Sequence, residues 1–343
     1  MQKKPILEVE GLKKYFPIEK GVFKKTIGYV KAVDDITFSL PEGETLGLVG
    51  ESGCGKTTVG RSILRLIEPT EGSIKYYSED NSNDNTSINP LSIEKLSKDE
   101  LRKIRREMQI IFQDPFSSLN PRISIGGMIE EPIKYHGLIK GPDLKNAVKN
   151  LLKDVGINEE YYERYPHEFS GGQRQRIGIA RALSLNPRLI IADEPVSALD
   201  VSIQAQVLNL LKKLQLQYNL TYIFISHDLS VIKYISNLVA VMYLGKIIEM
   251  GKTEQIFSNP KHPYTEAILS AVPIPVPGTN KNQIVLQGDV PSAANPPNGC
   301  HFNTRCKYAK EICKKDYPIL NKIDNTHYVS CHFADELSLK SYN

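Results

Sequence analysis

The sequence lacks an uninterrupted apolar run long enough to span a bilayer. It also lacks an apolar signal core near Met1–Pro5, which reads MQKKP. These absences argue against a membrane-spanning segment and against export, so we expect contact with a membrane only through partner proteins. A charge excess is missing too: the net charge is +4, with 41% hydrophobic and 24% charged residues in 343. This balance is that of an ordinary folded protein and argues against disorder throughout.

Cysteine is scarce, with five residues in the chain. Without an export signal we expect a reducing compartment, where disulfides are rare. Four cysteines near the carboxyl end have the spacing C-x5-C-x6-C-x17-C: Cys300, Cys306, Cys313 and Cys331. This spacing fits neither the common zinc patterns nor the compact ferredoxin run, yet four thiols in an intracellular protein indicate a soft-metal site. Cys54 is interpreted separately, as a small packing side chain.

The most specific pattern is Gly50–Thr57, GESGCGKT, which fits the phosphate-binding loop G-x-x-x-x-G-K-[ST]. An apolar strand pattern at Glu44–Val49 precedes it and a helical pattern at Thr58–Ile67 follows. Backbone N–H groups would surround phosphate oxygens, Lys56 would supply positive charge and the Thr57 hydroxyl would ligate Mg²⁺. The residues assigned to ATP are Tyr15, Phe16, Gly50, Ser52, Gly53, Gly55, Lys56, Thr57 and Thr58.

Two of these residues are candidates for contact with the base. Alternating patterns predict half-buried strands at Ile6–Val9 and Ile36–Leu40, and Tyr15 and Phe16 come after the first of them. An aromatic ring there could stack on adenine, and packing in the core explains it equally well.

Polar side chains also follow predicted strands farther along the chain: Gln113, Asp193, Glu194 and His227. The strands are expected at 108–112, 189–192 and 220–225, alternating with helices. This alternation predicts a parallel α/β sheet with ligands at the carboxyl ends of its strands.

A second glycine pair lies in Ser170–Arg174, SGGQR, before a helix predicted from about Gln175 to Leu185. Ser170 is a natural N-cap, and the glycines leave backbone N–H groups available to a phosphate. The turn Ser197–Asp200 follows Glu194 and precedes a helix predicted at about Val201–Tyr218.

In this order the segments resemble the ATPase subunit of an ABC transporter over roughly residues 7–256. The matching parts are the Walker A loop Gly50–Thr57, the Q-loop Gln113, the signature Ser170–Arg174, Walker B Leu189–Asp193, Glu194, the D-loop Ser197–Asp200 and the switch His227. The resemblance implies an α/β P-loop ATPase with a parallel-sheet core, an antiparallel β layer and a helical subdomain at about 114–169. It assigns residues 1–258 to the ATPase domain and 259–343 to a small Cys-containing extension.

The resemblance also implies roles for the site residues. Glu194 would be the general base, His227 would hold the γ-phosphate, and Gln113 would reach the metal or the attacking water. Mg²⁺ would be held by Thr57, Gln113 and Asp193. Two ATPase subunits would pack head to tail, so that one subunit contacts ATP on its partner through Ser170, Gly171, Gly172, Gln173 and Asp200.

Narrower stretches resemble the second ATPase subunit of bacterial dipeptide and oligopeptide importers. They include GESGCGKTT, IIFQDPFSSLNPR, HPYTEAILSAVPIP and NPPNGCHFNTRCKYAKEIC. This likeness implies a peripheral ATPase on the cytoplasmic face of the cell membrane that uses ATP and Mg²⁺. Its partners would be a paralogous ATPase, two transmembrane permeases and, through them, an extracellular peptide-binding protein, with no nucleic acid. For the four clustered cysteines it ranks a [4Fe-4S] cluster first, zinc second and unliganded thiols third.

Three alternatives stay open. The cargo could be nickel, a sugar or an antimicrobial peptide, because no residue of an ATPase subunit touches cargo. A soluble ABC ATPase acting on ribosomes or DNA is disfavoured by the single Walker A loop and the absence of heptads. A binding module without turnover is disfavoured by Glu194 and His227.

Three further segments have expected roles. Ser78–Pro90 is expected to be a polar loop and Pro273–Gly278 a stiff linker. Asp114–Phe169 is expected to be the docking surface for a permease.

Overall fold

The computed structural model describes residues 4–78, 90–114, 118–272 and 283–341. Most of the predicted loop at Ser78–Pro90 and the whole Pro273–Gly278 linker lie outside the described residues. The strands are β1 (Pro5–Lys20), β2 (Lys25–Pro41), β3 (Thr45–Val49), β4 (Glu71–Tyr76), β5 (Leu91–Ser92), β6 (Met108–Ile111), β7 (Leu189–Asp193), β8 (Thr221–Ile225), β9 (Leu238–Tyr243), β10 (Lys246–Lys252), β11 (Asn321–Lys322) and β12 (Tyr328–Val329).

The α-helices are α1 (Lys56–Ile63), α2 (Lys98–Ile104), α3 (Ile125–His136), α4 (Pro142–Asp154), α5 (Gly171–Leu183), α6 (Val201–Tyr218), α7 (Leu229–Ile235), α8 (Thr253–Ser258), α9 (Pro263–Ser270) and α10 (Glu311–Lys315). Short 3₁₀ helices occur at Ile93–Lys95, Glu159–Glu163 and Pro166–Glu168. Within the described ranges, none of the helices is both long and apolar enough to span a membrane.

The chain forms two compact units that alternate along the sequence. The first unit comprises Met1–Ile6, Pro41–Glu44 and Tyr76–Ile225. The second comprises Leu7–Leu40, Thr45–Lys75 and Ser226–Asn343.

The first unit contains the parallel strands β6, β7 and β8. Leu189 of β7 pairs with Met108 of β6 on one side and with Thr221 of β8 on the other. Every residue of β7 and β8 is buried, as is typical of parallel strands covered on both faces. Helices α3 and α4 pack against each other and against α5, so the predicted helical region contributes to this unit. The predicted parallel α/β core is confirmed.

The second unit contains a sheet that includes β3, β9, β10 and β12. Strand β3 pairs in parallel with β9, and β10 pairs antiparallel with both β9 and β12. The last pair joins Glu249 to Val329, so the region after residue 258 adds strands to this sheet. A smaller layer has the order β2-β1-β4, with β1 and β2 forming a hairpin.

The hairpin strands are much longer than the predicted strands at Ile6–Val9 and Ile36–Leu40. Buried positions end at Leu12 in β1 and begin at Val33 in β2, while backbone pairing continues to Lys20 and from Lys25. The alternating sequence pattern reports only the half-buried part, because the rest of the hairpin has no buried face.

The helical segment before β6 is divided into a 3₁₀ turn and a short α-helix. The Ser97 side chain accepts a hydrogen bond from the Glu100 N–H, and the Glu100 carboxylate accepts one from the Ser97 N–H. This capping box starts α2 at Lys98 and separates it from the 3₁₀ turn at Ile93–Lys95.

Candidate functional site

The loop between β3 and α1 has a shape that only glycine permits at two positions. Gly50 and Gly55 have φ angles of 151° and 107°. A Cβ atom at Gly50 would lie 2.3 Å from the Met242 carbonyl oxygen, and one at Gly55 would lie 1.9 Å from the Ala32 carbonyl oxygen. The loop therefore passes against neighbouring backbone before it turns into α1, which is the strand, loop and helix arrangement that the sequence predicts.

Lys56 is the first residue of α1 and is 5% exposed. Its Nζ donates to the Gly50 carbonyl at 2.8 Å and to the Glu51 carbonyl at 3.0 Å. The ammonium charge is therefore held inside the curve of the loop. Cys54 is buried nearby, and burial raises the pKa of its thiol, which favours an uncharged packing side chain.

Glu194 has a strained backbone. It follows β7 with a φ of 48°, a left-handed conformation that residues other than glycine rarely adopt. Its N–H donates to the Ile225 carbonyl at 3.0 Å, and its carbonyl accepts from the Ser197 Oγ at 3.1 Å. These two bonds fix the turn that carries the carboxylate.

The structure brings Gln113 and Glu194 together within the first unit. The Gln113 Nε2 donates to the Glu194 Oε2 at 3.0 Å. Asp193, the last residue of β7, is 2% exposed. Its carboxylate and the Thr57 hydroxyl are hard oxygen donors, so the chemistry of the two groups fits Mg²⁺.

His227 is exposed in a bend between β8 and α7. The preceding Ser226 donates its N–H to the Leu48 carbonyl of β3 at 3.2 Å. The following Asp228 donates its N–H to the Ser226 Oγ at 3.0 Å and caps α7 by accepting from the Ser230 N–H at 2.7 Å. The backbone is thus held on both sides of an exposed imidazole, close to the strand that leads into the Walker loop.

The signature helix starts earlier than predicted. It begins at Gly171 and not near Gln175, because Ser170 and Gln173 form a capping box in which each side chain accepts from the other's backbone N–H. A Cβ atom at Gly172 would lie 2.5 Å from the Ile203 Cγ2, so glycine allows the close approach of α5 and α6. Ser170, Gln173 and Asp200 are exposed.

Tyr15 and Phe16 lie within β1, which corrects the expectation that they follow the first strand. Neighbouring side chains of a strand point to opposite faces, so the two rings face different ways. Tyr15 donates its hydroxyl to the Asp34 carboxylate, and the Lys31 Nζ lies 5.8 Å from its ring centre. Phe16 is 37% exposed, which makes its ring the more accessible of the two.

The four clustered cysteines line one small cavity of about 20 Å³ in the second unit: Cys300, Cys306, Cys313 and Cys331. All are free thiols, and burial raises the pKa of Cys300 to about 12 and that of Cys331 to about 11. Among the side chains that the structure describes, no group of three or more His, Cys, Asp or Glu residues is arranged to hold a metal ion. The predicted ligands are therefore brought to one cavity, but not into an ion-binding geometry.

Two contacts to the Walker loop were not foreseen from the sequence. The Glu51 N–H donates to the Tyr264 hydroxyl of α9 at 2.9 Å, and the Glu51 carboxylate binds Arg305. Both partners follow residue 258, and sequence separations above 200 leave no local pattern that could indicate either contact.

Comparison with known proteins defines the class. The family model for the ABC transporter matches residues 33–197. The dimeric ATP-binding cassette MJ0796 bound to ADP and Pi superposes with a TM-score of 0.60 at 28% identity, covering 72% of this chain and 98% of that one. The protein cbiO1 of Clostridium perfringens, part of the ABC transporter complex cbiONQ, gives a TM-score of 0.59 at 26% identity, covering 74% of this chain and 91% of that one. The fold is that of an ABC-type ATPase, a class of protein that hydrolyses ATP with Mg²⁺.

The family within this class is identified by matches that extend over nearly the whole chain. A second family model, the C-terminal region of oligopeptide and dipeptide transporters, matches residues 248–313. The oligopeptide transport ATP-binding protein AppF of Bacillus subtilis is 54% identical, covering 95% of this chain and 97% of its own. The dipeptide transport ATP-binding protein DppF of Haemophilus influenzae is 48% identical, covering 96% and 97%. The chain belongs to the oligopeptide/dipeptide transporter family of ABC ATPases.

Proposed function

We propose that this ATPase powers the import of dipeptides or oligopeptides across the cell membrane. One observation carries the proposal: a Walker loop shaped by glycine is hydrogen-bonded, through Tyr264 and Arg305, to a region that matches the C-terminal part of peptide transporters. Relatives that align over at least 95% of this chain and are described as oligopeptide or dipeptide transport ATP-binding proteins support it. We also propose the division into an ATPase domain at 1–258 and an extension at 259–343; α8 ends at Ser258.

Hydrolysis is proposed to need positive charge beside the phosphates and one general base for the attacking water. Lys56, already held inside the loop, offsets phosphate charge together with the backbone of Gly50, Ser52, Gly53, Gly55, Thr57 and Thr58. Glu194 accepts a proton from the attacking water, and Gln113 orients the Glu194 carboxylate through the bond between their side chains. His227 contacts the γ-phosphate. Thr57, Asp193 and Gln113 would hold Mg²⁺, which neutralises phosphate charge.

The second half of the ATP site is proposed to come from a paralogous ATPase packed head to tail. Ser170, Gln173 and Asp200 are exposed, and the α5 N-terminus with Gly171 and Gly172 offers a positive dipole end to a phosphate. A solved relative described as dimeric supports this arrangement. In it, Phe16 or Tyr15 would contact the base of the ATP bound to their own chain.

The permease partners are proposed to dock on the helical region at 114–169. This region lies between Gln113 and Ser170 in the chain, so a movement of the permease could reach both phosphate contacts. Three of its large side chains are well exposed, namely Tyr135 (62%), Tyr165 (43%) and Leu138 (36%). Such docking would hold the protein peripherally at the cytoplasmic face, with the extracellular peptide-binding protein reached only through the permeases.

The cysteine cluster is proposed to hold an iron–sulfur group, with zinc as the second choice. Its support is the donor set, four thiols lining one cavity, together with the resemblance of the extension to cluster-bearing subunits. Analysis of iron and acid-labile sulfide in anaerobically purified protein tests it. One equivalent of zinc without iron would reject the first choice.

Mass spectrometry of the proteins that co-purify with a tagged chain from gently solubilised native membranes tests the whole assignment. We expect two permeases, a paralogous ATPase and a peptide-binding protein, with cross-links between residues 114–169 and a permease. Recovery of ribosomal or DNA-repair proteins without a permease would reject it. A binding protein that carries nickel or a sugar would instead reassign the cargo.

A further inference from the structure

Glu51, the first variable residue of the Walker loop, is held at three points within the second unit. Its N–H donates to the Tyr264 hydroxyl at 2.9 Å, and its carbonyl accepts from the Lys56 Nζ at 3.0 Å. Its carboxylate receives both terminal nitrogens of Arg305, at 2.7 Å to Oε2 and 3.0 Å to Oε1. The loop that surrounds phosphate therefore carries a negative side chain, and this side chain is bound by a residue far along the chain.

Arg305 and Glu51 form an ion pair in which the arginine is the less exposed partner. The side chains of Arg305 and Glu51 are 7% and 30% exposed, so the guanidinium is nearly buried. The fork geometry is the bidentate arrangement that makes Arg–carboxylate pairs strong and directional. The Glu51 carboxylate and a hydrogen bond to Tyr243 raise the pKa of Arg305, so it stays charged at any physiological pH.

Arg305 is placed by packed aromatic rings. The rings of Tyr243, Tyr264 and Phe302 contact one another with centre distances between 4.8 and 5.4 Å. The Arg305 Nη1 donates to the Tyr243 hydroxyl at 3.4 Å, and the Arg305 N–H donates to the Phe302 carbonyl at 3.0 Å. The same cluster thus positions Arg305 and, through the Tyr264 hydroxyl, the Glu51 backbone.

The segment that carries Arg305 is itself tied down at the cysteine-lined cavity. Arg305 lies between Cys300 and Cys306, and the Cys300 N–H donates to the Cys313 carbonyl at 2.8 Å. At Gly299, with a φ of 67°, a Cβ atom would lie 2.4 Å from that carbonyl oxygen. The turn is therefore packed against backbone on one side and reaches the Walker loop on the other.

We propose that Arg305 is a positioning residue for ATP binding: the C-terminal extension uses it to neutralise Glu51 and to hold the Walker loop open for the triphosphate. An unpaired carboxylate on this loop would repel the phosphates and would be free to compete for Lys56. Arg305 removes both effects without touching the nucleotide. The extension thus increases the affinity of the Walker loop for ATP, and it also adds β12 to the sheet.

The test measures the dissociation constant of ATP for the full-length purified chain, by displacement of a fluorescent nucleotide. Arg305→Met keeps most of the side-chain volume and removes the charge, and we expect about tenfold weaker binding because the unpaired Glu51 carboxylate then repels the phosphates. Arg305→Lys should recover part of the loss. In Glu51→Gln/Arg305→Met, binding should return to within about twofold of the wild type, because no carboxylate remains to be neutralised. Lys314→Ala, which removes the exposed extension pair with Glu311, is the matched control and should leave binding unchanged.

A merely structural Arg305 gives a different pattern. Wild-type affinity in Arg305→Met, or an equal loss in Lys314→Ala, would overturn the proposal. So would a double variant that binds as weakly as Arg305→Met, since a packing defect is not repaired by changing Glu51. If Arg305→Met fails to fold, Arg305→Lys carries the test: a loss of about two- to fivefold that Glu51→Gln abolishes supports the proposal, and a loss that Glu51→Gln leaves in place rejects it.

Discussion

Glu194, the proposed general base, is held by contacts to both its backbone and its side chain. Its left-handed backbone is held by bonds to the Ile225 carbonyl and the Ser197 side chain, and its carboxylate is held by Gln113. Strain of this kind costs about 1–3 kcal/mol and persists only where surrounding contacts determine it. The turn is therefore built to aim the carboxylate.

The substitution Glu194→Gln should retain ATP binding and lose turnover. Glutamine preserves the shape of the side chain but cannot accept the proton of the attacking water, so we expect a fall in kcat of about 10²- to 10⁴-fold. Steady-state ATPase assays and ATP-binding measurements on the same preparation separate the two effects. The exposed Glu254→Gln is a control that should hydrolyse normally, and undiminished hydrolysis in Glu194→Gln would remove Glu194 from its role.

Two glycines of the Walker loop form a matched pair for mutation. Gly53 and Gly55 both have positive φ, at 79° and 107°, but only at Gly55 would a Cβ atom meet neighbouring backbone, the Ala32 carbonyl at 1.9 Å. Gly53→Ala should cost about 1 kcal/mol of unfolding free energy through its backbone conformation alone. Gly55→Ala should cost about 3 kcal/mol or more and abolish ATP binding. Equal effects in denaturant titrations would show that the close approach is not what selects glycine.

The sequence predicts the motif residues of the site well but not the contacts between residues far apart in the chain. The glycines, Lys56 and Asp193 follow from local patterns, because a phosphate loop and a strand end are made by neighbouring residues. The bonds between Gln113 and Glu194 and between Glu51 and Arg305 join residues 81 and 254 positions apart, so no local pattern contains them. The backbone strain at Glu194 is set by the same long-range packing.

Among the elements, the buried parallel strands were the easiest to predict. β7 and β8 differ from the predicted 189–192 and 220–225 by one residue each, since continuous apolar runs have sharp ends. β1 and β2 were underestimated because backbone pairing continues where burial stops. The pairing of β12 with β10 could not be predicted, because two residues, Tyr328–Val329, carry no periodicity.

The N-cap of helix α9 makes the free energy of unfolding of the second unit depend on pH. Its N-cap is His262, whose Nδ1 accepts from the Tyr264 N–H at 3.0 Å. Complete burial lowers the pKa of His262 to about 3, whereas an unfolded histidine titrates near 6.5. The unfolded chain thus binds the proton more readily between these values, so stability is full above about pH 6.5 and is lost as the pH falls toward 3.

Replacing this cap should flatten the acid dependence. Asparagine can also cap a helix and does not titrate, so we expect His262→Asn to lose less stability below pH 6 than the wild type, by up to about 1.4 kcal/mol per pH unit. Unfolding free energies from urea titrations between pH 4 and pH 7 measure this. Parallel curves for the two proteins would show that His262 is not the group responsible.

At the scale of the whole molecule, the region after residue 258 contacts the Walker loop and pairs with the sheet of the second unit. Family models match residues 33–197 and 248–313, and relatives align over nearly the full length. In that region, β12 pairs with β10 of the sheet, and Tyr264 and Arg305 bind Glu51 of the Walker loop. Because of these contacts, we expect ATP binding to depend on residues outside the nucleotide motifs.

Transport itself tests the central claim most directly. The transporter purified with this chain is placed in proteoliposomes with ATP inside and a labelled oligopeptide with its binding protein outside. We predict ATP-dependent accumulation of the peptide with the wild-type chain and none above the ATP-free control with Glu194→Gln. Equal accumulation with the two chains, or none with the wild type while nickel or a sugar is taken up, would contradict the account.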